Sequence, residues 1–100
     1  MKTFVSLVKL TKAGKAEITK TFERRDALTP AMERLSVKME QYFMTLGAYD
    51  YVIVFRAPSD EAMAEFLLIL GRLGAVETTT MAALDADAYG GLIERLRNAE

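Results

Sequence analysis

Tyr49 and Asp50 set a phenol beside a carboxylate at what their neighbours mark as a hairpin entrance, a pairing that could orient and deprotonate a polar small molecule. A structural account explains the same residues. Asp tolerates turn geometry and bonds nearby backbone amides, and Tyr closes the end of a core. The structural account weighs more, and both readings stay open. Asp50, Val52, Val54 and Arg56 then alternate onto one strand face, setting an acid and a base at opposite ends of an apolar strip. Such a strip is either a pocket wall or a subunit interface. The interface is favoured, because interfaces combine an apolar centre with a polar rim. Tyr42, Met44, Glu77 and Thr79 are expected to line the same space, subject to the strand register.

The residue types also exclude chemistry. With no histidine, the chain lacks the usual general base near neutral pH and the usual haem and transition-metal ligand. With no cysteine, it lacks thiolate nucleophiles and disulfides, which fits a reducing cytoplasm. Glu77, Asp85, Asp87 and Glu94 have no calcium-loop spacing, so neither a metal nor another cofactor is expected. No phosphate-cradling glycine loop or nucleophile elbow occurs. Thirteen basic against fourteen acidic residues leave a net charge of −1, which offers no field for nucleic acid or an anionic membrane. Lys9, Lys12, Lys15 and Lys20 are interrupted by Glu17 and followed by Glu23, and read as a solvated face. Met32, Met39, Met44, Met63 and Met81 read as core filling before an adaptable cavity.

The elements that would position these residues follow from periodicity. Thr3 to Leu10 predicts a strand apolar on both faces, with Phe4, Val8 and Leu10 on one side and Val5 and Leu7 on the other. Thr11 can cap a short helix running to Thr19, which Gly14 weakens. Leu28, Ala31, Met32 and Leu35 gather on one side of the helix that starts at Thr21. Pro30 either kinks that helix or opens a second one capped by Thr29; the kink is the favoured reading. Lys38 to Leu46 and Asp50 to Ala57 form a hairpin around Gly47, and the second strand, apolar at nearly every position, belongs in the middle of a sheet. Ser59 or Asp60 caps a helix with the stripe Met63, Phe66, Leu67, Leu70 and Leu73, closed by Gly74 in a left-handed turn. Ala75 to Leu84 is the fourth strand. Asp85 or Asp87 caps a last amphipathic helix carrying Tyr89, Leu92, Ile93 and Leu96.

This order predicts an α+β fold of ferredoxin-like βαββαβ type, with a four-stranded antiparallel sheet and a C-terminal helix, as a single domain over residues 1–100. Helices cover one face of such a sheet. Central strands apolar on both faces therefore call for a second copy on the other, as a homodimer or higher homo-oligomer. The N-terminus is not a signal region, and no run reaches the ~18 apolar residues a membrane span needs, so a cytoplasmic protein is expected.

Gly47-Ala48-Tyr49-Asp50, followed by Tyr51-Val52-Ile53-Val54, Ala57-Pro58 and Asp60-Glu61, closely resembles the signature of the GYD domain family. The likeness extends through Leu7-Val8-Lys9-Leu10-Thr11, Gly14, the Leu70-Gly71 and Leu73-Gly74 spacing, Val76, Thr78, Thr80 and Tyr89. It implies a protomer of the dimeric α+β barrel kind, a broad group that includes cofactor-free monooxygenases, isomerases, haem proteins and ligand sensors. Four places depart from the pattern. Ser36-Val37 stands where two glycines are usual, Phe22 where proline is common, Arg56 where an acid is frequent and Ala82 where a base is frequent. If that acid and base pair across neighbouring strands, this chain has lost the pair.

The leading expectation is a small-molecule-binding or interaction module, with Tyr42, Tyr49, Asp50, Arg56, Glu77 and Thr79 as candidate ligand contacts between paired sheets. The alternative is a cofactor-independent oxygenase or isomerase acting on an aromatic or polyketide-like compound through Tyr49 and Asp50. A third reading is a structural oligomer without a ligand.

Overall fold

Tyr51–Ala57 is apolar at every position but Arg56, and alternation divides it cleanly: Tyr51, Ile53, Phe55 and Ala57 are buried while Val52, Val54 and Arg56 are only partly so. In the computed structural model, which describes residues 1–100, this strand is β3 and lies inside the sheet. The other strands are β1 (Lys2–Leu10), β2 (Lys38–Met44) and β4 (Val76–Ala83). Their order is β2-β3-β1-β4, with every neighbouring pair antiparallel. Helices α1 (Lys12–Ala16), α2 (Thr21–Ala27) and α3 (Thr29–Leu35), with a 3₁₀ turn at Ile18–Lys20, link β1 to β2. Helix α4 (Asp60–Arg72) links β3 to β4, and α5 (Ala86–Ala99) follows the last strand. This is the α+β, ferredoxin-like order that the periodicity predicts.

The caps resolve as hydrogen bonds. Thr11, Ser59 and Asp85 accept from the backbone N–H groups of Gly14, Ala62 and Ala88, so Ser59 and Asp85, and neither Asp60 nor Asp87, start α4 and α5. Gly47 and Gly74 take positive φ, at +130° and +74°. Gly14 does more than weaken α1. A Cβ there would lie 2.1 Å from the Ala75 carbonyl oxygen, so only glycine lets α1 dock on the turn before β4. Thr11 seals that contact, its N–H donating to Ala75 at 3.0 Å and its hydroxyl to the Gly74 carbonyl at 2.6 Å.

Expectations change at Pro30 and at the hairpin. The helix at Pro30 is split, not merely kinked: Leu28 ends α2 and Pro30 stands in the first turn of α3, where its missing N–H costs nothing. Leu28 keeps right-handed helical angles, and no Thr29 side-chain cap forms. β2 ends at Met44 and β3 begins at Tyr51, so Leu46, 93% exposed, and Asp50 both belong to the connection between them. Ser36, where the resembling family favours glycine, adopts φ +55° as the left-handed end of α3, a conformation that is strained for any residue with a Cβ.

The core lies between the sheet and the helices, with Phe4, Val8, Ile53 and Phe55 packed against Leu28, Met63 and Phe66. Ser6 joins it fully buried, its Oγ 2.7 Å from Thr80 Oγ1, so the buried hydroxyl is satisfied. Only 13 of 100 residues are buried, and none of them lies in α5. The radius of gyration is 15.8 Å. A compact chain of this length has about 13 Å. No helix is long and apolar enough to cross a membrane.

Candidate functional site

The sheet face away from α2, α3 and α4 is built row by row from the register. Phe43, Val52, Leu7 and Thr79 form one row, and Gln41, Val54, Val5 and Met81 the next. Lys38, Arg56, Thr3 and Ala83 close one end; Lys9 opposite Glu77 closes the other. The centre is apolar and the ends are polar. Phe43 and Met81 are 51% and 46% exposed, so no element of the chain covers this face.

Arg56 anchors the polar end. Its Nη2 donates to the Met1 carbonyl at 3.2 Å and its Nη1 lies 3.7 Å from Glu40 Oε1. Nε is buried with no hydrogen-bond partner. The lost ion pair suggested by Arg56 and Ala82 does not fit this topology. β1 separates β3 from β4, and Ala82 stands opposite Phe4 on the helix side while Arg56 stands opposite Thr3 on the open side.

The expected constellation is divided between the two faces. Arg56, Glu77 and Thr79 share the open face, but Tyr42 and Met44 stand opposite Ile53 and Tyr51 on the helix side. The cause is a bulge in β2 between Met39 and Gln41, where one extra residue, Glu40, reverses the alternation of everything after it. Met44 and Met81, expected in the core, are 75% and 46% exposed.

Asp50 does not point along the open strip. Its Oδ2 accepts from the Leu10 N–H at 2.7 Å, while its own N–H donates to Val8 at 2.8 Å and its carbonyl accepts from Thr45 at 2.9 Å. The carboxylate thus fastens the β2–β3 connection to the end of β1. Tyr49, half-buried, is held through its carbonyl by the Thr45 hydroxyl at 2.6 Å. Tyr42 packs its ring 5.2 Å from that of Tyr51, and burial, with the neighbouring Tyr51 phenol, pushes its hydroxyl up to about 12.

Sequence reasoning missed Phe43 as part of the open face, because its alternation is legible only once the bulge is known. It also found the stripe of α5 without finding that the stripe lacks a partner: Tyr89, Ile93 and Leu96 are 61%, 39% and 65% exposed.

The GYD domain pattern matches residues 4–93 of this chain. The Thermus thermophilus protein called "Glutamine synthetase and cystathionine beta-lyase binding protein" is 34% identical over 98 residues, an alignment that spans 97% of this chain and 100% of that protein. No solved structure matches. With the pattern running through the sheet and all helices but the end of α5, the chain belongs to the GYD domain family.

Proposed function

We propose that this protein is a protein-interaction module whose open sheet face pairs with the same face of a second copy, and whose assembled dimer binds metabolic enzymes. The observation that carries the reading is the uncovered apolar centre formed by Val5, Leu7, Phe43, Val52, Val54 and Met81, with charged residues only at its ends.

The open sheet face supplies about half of the area such a pairing needs. Four strands at ~4.8 Å spacing, paired over about seven residues, present roughly 450 Å². A stable interface buries about 800 Å² per partner. The sheet alone falls short, and α5, about 21 Å long with an unpartnered apolar stripe, supplies much of the difference. The enzyme-binding part rests on the relative, whose name says that it binds glutamine synthetase and cystathionine beta-lyase. An acid–base role for Asp50 has less support, because one carboxylate oxygen is already held by Leu10.

Sedimentation equilibrium at micromolar concentration tests the pairing: the expected mass is twice 11.1 kDa, and a monomer refutes it. Biolayer interferometry against purified glutamine synthetase and cystathionine beta-lyase of the same organism tests the second part. Binding to at least one is expected, and silence from both at ~10 μM, where useful transient contacts are still measurable, overturns it.

A further inference from the structure

Between the sheet and its helices lies a cavity of about 60 Å³. Val8, Ile53 and Phe55 form its floor, and Leu28, Phe66 and Leu70 its roof. Thirteen of its 16 lining residues are hydrophobic; the other three are Thr21, Arg24 and Arg25, so both charges at its wall are positive. The apolar part of this space forfeits packing contacts that an apolar guest would restore.

The cavity has a mouth. A surface groove formed by Ile18, Phe22, Met44 and Asp50 shares Leu10, Thr21, Arg25, Tyr42 and Tyr51 with it. Arg24 is already committed there, donating to the Glu17 carbonyl at 2.9 Å and toward the Thr21 hydroxyl at 3.4 Å. Arg25 is freer. Its guanidinium lies 4.8 Å from the centre of the Phe22 ring, and its one ion pair, to the adjacent Asp26 at 3.5 Å, is exposed and weak. Asp50, the acid within the groove, keeps its charge with Oδ2 held by the Leu10 N–H, but it does not line the cavity, whereas Arg25 lines both, so the attractive end for an anion is the one next to the cavity.

We propose that this cavity binds a small amphipathic carboxylate, with its short apolar tail between the sheet and α2 and α4 and its carboxylate at Arg25. A carboxylate matches the planar fork of a single arginine, and the Tyr42 ring lines the same mouth. The site lies on the opposite side of the sheet from the pairing face and does not depend on it.

Methyl NMR titration of the intact chain with hexanoate, hexylamine and hexanol tests the site. Hexanoate is expected to shift the methyl signals of Val8, Leu28 and Ile53, with the amine and the alcohol binding at least about tenfold more weakly, as loss of a charge-assisted bond implies. Arg25→Gln, which keeps the polar stem of a partly exposed side chain while removing its charge, should weaken hexanoate about tenfold. Leu70→Phe, which fills the cavity, should weaken all three compounds. Equal affinity for the three, no shift of the cavity methyls, or hexanoate binding untouched by both variants would each overturn the proposal.

Discussion

On the helix side of the sheet, Phe4, Val8, Ile53 and Phe55 are between 1% and 6% exposed. Val5, Leu7, Val52 and Val54, their immediate neighbours in sequence, face the other way and are only partly buried. The two faces are built from similar residues by the same alternation, so composition does not distinguish them. What differs is cover. The linkers β1–β2 and β3–β4 both cross on one side, and α5, the remaining helix that could cover the other, packs closely against neither face. An apolar face that its own chain leaves uncovered is open to a partner, while the opposite face of the same strands is core.

The sharpest way to separate the faces is to truncate one residue on each. Phe55→Ala removes a ring that meets Phe66 at 5.5 Å and is expected to cost about 3–5 kcal/mol, read as a lower urea midpoint at any protein concentration. A loss below about 1 kcal/mol would mean that the helix side is not the core it looks to be. On the open face, Val54→Lys should leave protomer folding within about 1 kcal/mol, because no helix packs there and only its strand neighbours touch it. Its effect belongs to association: the concentration dependence of Tm, expected of a paired wild type, should vanish. If Tm keeps that dependence, the open face is not where copies meet.

Asp50 lies at the boundary between the two regions, and its substitution sharpens what each owes to the connection. Asp50→Ala strands the Leu10 N–H and should cost about 1–3 kcal/mol, whereas Asp50→Asn keeps an acceptor and should recover more than half of it. Equal losses for both variants would point to the charge and away from the hydrogen bond.

Much of this was readable beforehand. The two-sided apolar character of Val52 to Phe55, the stripe on α4 and the capping residues Thr11 and Ser59 are local signals, and each became the expected element. The candidate site was less legible, because its membership depends on register. Nothing in Lys38 to Met44 marks Glu40 as the extra residue, yet that one bulge moves Tyr42 from Arg56's face to the opposite one. Asp50 is only partly legible for a related reason: that it bonds a backbone amide follows from its residue type, but which amide does not. Its role is set by Leu10, 40 residues away, and no local rule reports a contact of that range. Pro30 allowed both a kink and a split, since a proline in the first turn of a new helix and one that bends an old helix have the same neighbours.

The smallest expected effect concerns the side chain that the bulge relocated. Burial raises the Tyr42 hydroxyl to about 12 from 10.0, so in the folded protein it holds its proton over a range where the unfolded chain releases it. The resulting stabilisation is complete below pH 10 and is lost as pH rises from there toward 12, because only the unfolded state gains by ionising in that window. Tyr42→Phe should therefore flatten the alkaline fall in the urea midpoint while changing little at pH 7. Were Tyr42 on the open, more solvated face with Arg56, its hydroxyl would titrate near the ordinary value and the variant would follow the wild-type curve. The slope above pH 10 thus reports in solution which side of the sheet the bulge has given it.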